Sequence, residues 1–82
     1  MRLDKYLKVS RLIKRRTIAN QACDTGRVSV NGKPAKAGHS VKEGDEIAIS
    51  FGTKTLKVKV INTAEHIKKE NSADMYEAIG DE

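Results

Sequence analysis

Between Arg11 and Gly32 the chain reads RLIKRRTIANQACDTGRVSVNG, and no other stretch restricts the possible folds as tightly. Ile18, Ala19, Ala22 and Cys23 recur at helical spacing, so one face of that segment should be buried. The helix is expected to begin around Arg15 to Thr17. It should end before Gly26, which can take the left-handed conformation that closes a helix. In Arg27-Val-Ser-Val30 the two valines alternate, the pattern of a short strand. Asn31-Gly32 is the dipeptide favoured where two successive residues need positive φ, so a tight turn follows. Pro34, just beyond it, argues for an edge or a loop rather than a central strand.

The flanks complete an α+β pattern. Arg2 to about Val9 reads as a short helix with Leu3 and Leu7 on one face and Asp4 in the first turn, where a carboxylate favours the helix dipole or an ion pair. Ser10 and Arg11 open a connector in which Leu12 and Ile13 tuck inward. After a loop from Gly38 to Asp45, Ile47, Ile49 and Phe51 alternate, and Gly52-Thr53 turns the chain into Lys54 to Ile61, with Leu56, Val58 and Val60 inward. That pair is an antiparallel hairpin with one buried face. Lys54, Lys57 and Lys59 form its solvated side. Asn71-Ser72 is read as the cap of a last short helix, Ala73 to Ile79, which either docks or stays loose. The expectation is two N-terminal helices packed on a small antiparallel sheet of roughly three to five strands, with a C-terminal helix or tail. Residues 1–61 form the domain and residues 62–82 the tail.

Charge narrows the function. Residues 1–42 carry eleven lysines and arginines against Asp4 and Asp24, a net of +9, while residues 43–82 have a net of −4. Such one-sidedness concentrates positive potential and points to a polyanion-binding face. Only Tyr6, Phe51 and Tyr76 are aromatic, which disfavours a binder that stacks successive unpaired bases and favours recognition of folded RNA by shape and backbone. The mean hydropathy of -0.57 fits a soluble domain. No apolar run approaches the roughly 20 residues of a membrane span, and the N-terminus lacks a signal-peptide core, so no membrane association and a cytoplasmic location are expected.

Catalysis and metal binding find little support. Cys23, the one cysteine, lies on the apolar side of its helix and reads as an inert buried thiol. His39 and His66 do not make a zinc site, and Asp4 and Asp24 are the only acids near the basic segment. No cofactor is expected, and the chain is read as not an enzyme. A ubiquitin-like carrier is disfavoured because the sequence ends Ile-Gly-Asp-Glu rather than Gly-Gly.

The unit RRTIANQACDTGRVSVNGKPAK, with the loop to VKEGDEIAI, resembles the small RNA-binding domain named after ribosomal protein S-four. The opening MRLDKYLKVSRLIKRRTIA looks like a stand-alone subgroup of that S-four-like fold, containing the fifteen-kilodalton heat-shock protein and, more closely, the RqcP quality-control factors. The tail NSADMYEAI is similar to theirs more loosely. Pseudouridine synthases and tyrosyl-tRNA synthetases share GRVSVNG, but the catalytic domains they attach to it are missing here. The likeness implies binding to the large ribosomal subunit obstructed by peptidyl-tRNA, between large-subunit rRNA and the P-site tRNA. There it would support alanine tailing of the stalled chain by the partner RqcH, as a monomer associated with the ribosome. The alternative is heat-shock-type ribosome recycling or large-subunit assembly on the same fold.

The residues expected to touch RNA are Arg2, Lys8, Arg11, Lys14, Arg15 and Arg16, since arginine's planar fork binds phosphate oxygens in pairs. Thr17 and Asn20 can donate to the RNA backbone, although Thr17 can equally cap its helix. Arg27, Asn31 and Lys33 flank the strand and turn and by resemblance face the same RNA; the turn itself also wants an asparagine at 31. Tyr6 is either a stacking platform or part of the core.

Overall fold

The computed structural model describes residues 1–63 and 75–81. Helix α1 (Leu3–Val9) and helix α2 (Arg16–Asp24) precede five strands: β1 (Val28–Val30), β2 (Lys33–Pro34), β3 (Glu46–Phe51), β4 (Lys54–Val60) and β5 (Tyr76–Asp81). The strands form one sheet in the order β2-β1-β3-β4-β5, antiparallel throughout. An α+β fold of two helices and a small antiparallel sheet is therefore present, as the periodicities require.

Each boundary has a local cause. Gly26 (φ 78°) follows the end of α2, and Asn31 (φ 53°) and Gly32 (φ 84°) make the two-residue turn that pairs Val30 with Lys33. Positive φ at both positions gives the turn a twist that matches its strands. Pro34 lies on β2, the edge strand, where its missing N–H is harmless. Val28, Val30, Ile47, Ile49, Val58 and Val60 are buried on one face of the sheet and form one cluster with Leu3, Tyr6, Leu7, Ile13, Ala19 and Cys23. Full burial of each large aliphatic side chain contributes roughly 1.5–3 kcal/mol.

Four expectations fail here. The helix foreseen over 73–79 is absent from its described part: residues 76–81 are strand β5, while Asn71 and Ser72 lie outside the described residues. Met75, Tyr76 and Ile79 have helical spacing, but the exposed edge of β4 offers a full row of backbone partners, which no isolated seven-residue helix can match. Pairing also sets Glu77 opposite Lys59 and Tyr76 opposite Val60, and Tyr76 packs on the core. Ile18 is 48% exposed, because Ala19 and Cys23 already fill the narrow stripe that α2 turns to the core. Phe51 is 49% exposed at the far end of β3, beyond the helices' reach. Thr17 does not cap α2; the cap position is Arg15, and no side chain bonds there.

Tyr6 proves to be wholly core. Its hydroxyl donates a 2.6 Å hydrogen bond to the backbone carbonyl of Met75, tying α1 to the start of β5. Burial, and then the nearby Tyr76, push its ionisation well above the usual phenol range. A phenol held in this way cannot stack on a base.

Candidate nucleic-acid interface

At the junction of α1 and α2 a single carboxylate gathers the polar side chains. Asp4 is almost completely buried, with its side chain 3% exposed, yet it receives four donors. Arg2 Nε (3.2 Å) and the Lys5 backbone N–H (2.8 Å) donate to Oδ1. Arg16 Nε (3.4 Å) and Asn20 Nδ2 (3.3 Å) donate to Oδ2. Burial alone would raise the acid's pKa. The hydrogen bonds from Asn20, Arg2 and Arg16, together with the charge of Arg16, outweigh that and hold it below the usual value of 3.8. Asp4 is thus an anion at neutral pH.

The consequence lies in the two guanidinium groups. Arg2 and Arg16 remain about half exposed, 54% and 49% by side chain, and each meets Asp4 through Nε. Contact through Nε leaves the terminal nitrogens of the planar fork out of the Asp4 ion pair, and such a fork suits phosphate oxygens. A long arginine normally gives up rotamer freedom on binding, at about 0.5–1.5 kcal/mol per side chain. Anchoring at Nε removes part of that loss before RNA arrives. A groove of about 420 Å³ lined by Asp4, Arg16, Thr17, Asn20 and Gln21 opens beside this pair.

The start of α2 adds to the cationic character. Its first turn contains no acidic residue, and Arg15 at the cap position contributes no side-chain bond, so the opening N–H groups are available to an anion. Lys14, Arg15 and Thr17 are exposed next to them. Lys8 and Arg11, also exposed, lie at the other end of α1, about 10 Å along a seven-residue helix. Arg11 follows the cap residue Ser10 with φ 64° and donates its N–H to the Lys8 carbonyl at 3.1 Å. That left-handed position commonly belongs to glycine. An arginine there carries a backbone penalty of roughly 1–2 kcal/mol.

The remaining expected residues are placed less centrally. Asn20 is half-buried and reaches Asp4, so it steadies the anchor. Arg27 is exposed at the opposite end of α2 from Arg16, its N–H held by the Ala22 carbonyl at 2.9 Å. Asn31 is committed to the turn: Nδ2 donates to Asp45 (3.2 Å), and Oδ1 accepts the Glu46 N–H (3.0 Å). Lys33 stands exposed on β2. Cys23 is buried, and burial, then the charges of Asp4 and Asp24, push its thiol up to about 11, which leaves little thiolate at neutral pH. His66 lies outside the described residues.

Sequence reasoning allowed Asp4 an ion pair but did not identify its partners, Arg2, Arg16 and Asn20. The signal was present as a pair, Arg16 and Asn20, at i, i+4 on one helix face, and a carboxylate two residues after Arg2.

The S4 domain family model matches residues 1–47. The RQC P-site tRNA stabilizing factor of Halalkalibacterium halodurans is 55% identical over 82 residues, covering 100% of this chain and 93% of that protein. The protein of the same name in Bacillus subtilis is 52% identical over 82 residues, covering 100% of this chain and 95% of that protein. Among solved structures, the trimeric Vibrio cholerae Heat Shock Protein 15 superposes with a TM-score of 0.86 at 26% identity, over 95% of this chain and 80% of that one.

Proposed function

The chain belongs to the S4 domain family and, within it, to the RQC P-site tRNA stabilizing factors, and on that premise we propose that it is a non-catalytic clamp between two RNA segments of the obstructed large ribosomal subunit. One segment is the P-site peptidyl-tRNA and the other is large-subunit rRNA. Held between them as a monomer in the cytoplasm, the domain steadies the tRNA while RqcH directs alanine addition to the stalled chain. The observation that carries this reading is the buried Asp4 carboxylate holding Arg2 and Arg16 in one place. A rigid pair of guanidinium groups reads the spacing of phosphates on a folded RNA without opening its bases. Arg2 and Arg16 are its centre, with Lys14, Arg15 and Thr17 beside them and Lys8, Arg11, Arg27 and Lys33 at the margins. Asn20 serves through Asp4, and Asn31 through the turn.

The likeness to Heat Shock Protein 15 supports a second reading, recycling of blocked subunits or subunit assembly on the same fold. Sedimentation separates the two. A tRNA-stabilising factor co-migrates with large subunits that carry peptidyl-tRNA and is lost when the tRNA is released with puromycin. Equal binding to empty subunits or assembly intermediates would overturn the proposal in favour of the second reading.

A further inference from the structure

A second groove includes Ser40, the residue bridged to Arg2. It has a volume of about 610 Å³, and its apolar wall is made by Val30, Pro34 and Ala35. Lys33, His39 and Lys42 stand along its rim, all exposed. Among the described residues, the one carboxylate that lines it, Asp45, is already occupied. Asp45 accepts the Lys42 backbone N–H on Oδ2 at 2.9 Å and the Asn31 side chain on Oδ1 at 3.2 Å. It thereby pins the 42–45 loop to the β1–β2 turn and gives the groove a fixed shape.

The groove is also locked to the arginine cluster. Arg2 and Ser40 form an isolated β-bridge. The Leu3 N–H donates to the His39 carbonyl at 2.8 Å, and the Val41 N–H donates to the Met1 carbonyl, also at 2.8 Å. The start of α1 and one wall of the groove therefore move as one body.

We propose that this groove is a second RNA subsite, taking a nucleotide of a second strand with its phosphate on Lys42, His39 and Lys33 and its sugar and base edge on the Val30–Pro34–Ala35 wall. The composition fits a nucleotide better than either a bare anion or a greasy peptide. Cationic donors on one side meet a phosphate, and an apolar wall on the other meets the sugar face. Arg2 links the two sites through its backbone bridge to Ser40 and its side-chain contact with Asp4. The inference rests on the two-segment reading above and adds residues to it, His39 and Lys42, which lie outside the helical face.

The test uses the full chain and purified large subunits carrying peptidyl-tRNA, with three exposed-site variants compared in affinity and salt dependence. Lys42→Glu alters the groove, Arg16→Ala alters the helical face, and Lys54→Glu, at the distant tip of the β3–β4 hairpin, matches Lys42→Glu in charge change. Thermal melting of each variant confirms that it is folded. The proposal expects Lys42→Glu to weaken binding about tenfold and to lower the log–log salt slope by roughly 0.7–0.9, the contribution of one phosphate. His39→Ala should weaken binding about threefold, and Lys54→Glu should stay within twofold. If Lys42→Glu binds no worse than Lys54→Glu while Arg16→Ala is impaired, the groove is not an RNA site and the helical face alone carries binding. If Arg16→Ala and Lys42→Glu both bind as the native chain does, the two-segment reading falls and takes this inference with it.

Discussion

The helical end of the molecule and the β3–β4–β5 end both carry cationic side chains, yet they surround them in opposite ways. On the strands, Lys59 stands in register with Glu46 on one side and Glu77 on the other, so opposite charges lie directly across from it. At the junction of α1 and α2 the only neighbouring acid among the described residues is Asp4, and it is shared by two arginines and removed from solvent. On the strands, Lys59 has acids beside it in register. The helices fix their cations in direction while leaving the positive charge unbalanced. Net charge along the chain already separates the two ends; the position of the acid shows how the helical one is built to receive an anion.

Substitutions break this contrast in order of size. Arg16→Ala is expected to lower affinity for large subunits bearing peptidyl-tRNA by tenfold or more, with a melting temperature close to native because the side chain is half exposed. Lys59→Ala is expected to leave binding within twofold. Equal losses from the two, in a sedimentation assay at fixed salt, would erase the distinction between the two ends.

Next in size is the removal of the Tyr6 hydroxyl. Tyr6→Phe leaves the buried Met75 carbonyl without its donor, at a cost of about 1–3 kcal/mol in denaturant unfolding, while RNA affinity of the folded fraction is retained. A larger fall in binding than in stability would move Tyr6 from the core to the interface.

Arg11 separates fold from function most cleanly. Arg11→Gly removes a left-handed penalty and should stabilise the fold by about 0.5–1 kcal/mol after the added chain entropy of glycine is counted. The same change should weaken ribosome binding severalfold. Arg11→Ala should weaken binding similarly without the gain in stability. Were Arg11→Gly neutral in binding, the strained backbone would have no functional explanation.

The smallest effect is on pH. Asp4 has a lowered folded pKa, so the unfolded chain takes up its proton first as the solution is acidified. The stability Asp4 contributes is complete above its ordinary value near 4 and is lost as pH falls through the lower folded value. Thermal melts from pH 6 down to pH 2 should therefore show the native chain and Asp4→Asn converging at the acid end.

Most of the fold was legible because local chemistry and global packing agree along it. Gly26 ends a helix, Asn31-Gly32 turns a hairpin, and Pro34 marks an edge, each through backbone restrictions that act within a few residues. The failures occurred where a distant partner decides. Met75 and Tyr76 belong to a strand because β4 has an open edge, and Ile18 points outward because residues on other elements have filled the core. Asp4 was legible as an acid in a first turn, but its role depends on Arg16 and Asn20, twelve and sixteen residues further along the chain.

Asp4→Asn supplies the most direct test of whether arginine positioning, rather than positive charge alone, makes the interface. Deleting a negative charge beside a polyanion site should tighten binding if charge alone governs it. If the carboxylate positions Arg2 and Arg16, the same deletion should weaken binding to large subunits bearing peptidyl-tRNA by about threefold or more at fixed salt. Affinity equal to or tighter than native, in a variant that melts as a folded protein, would contradict the account.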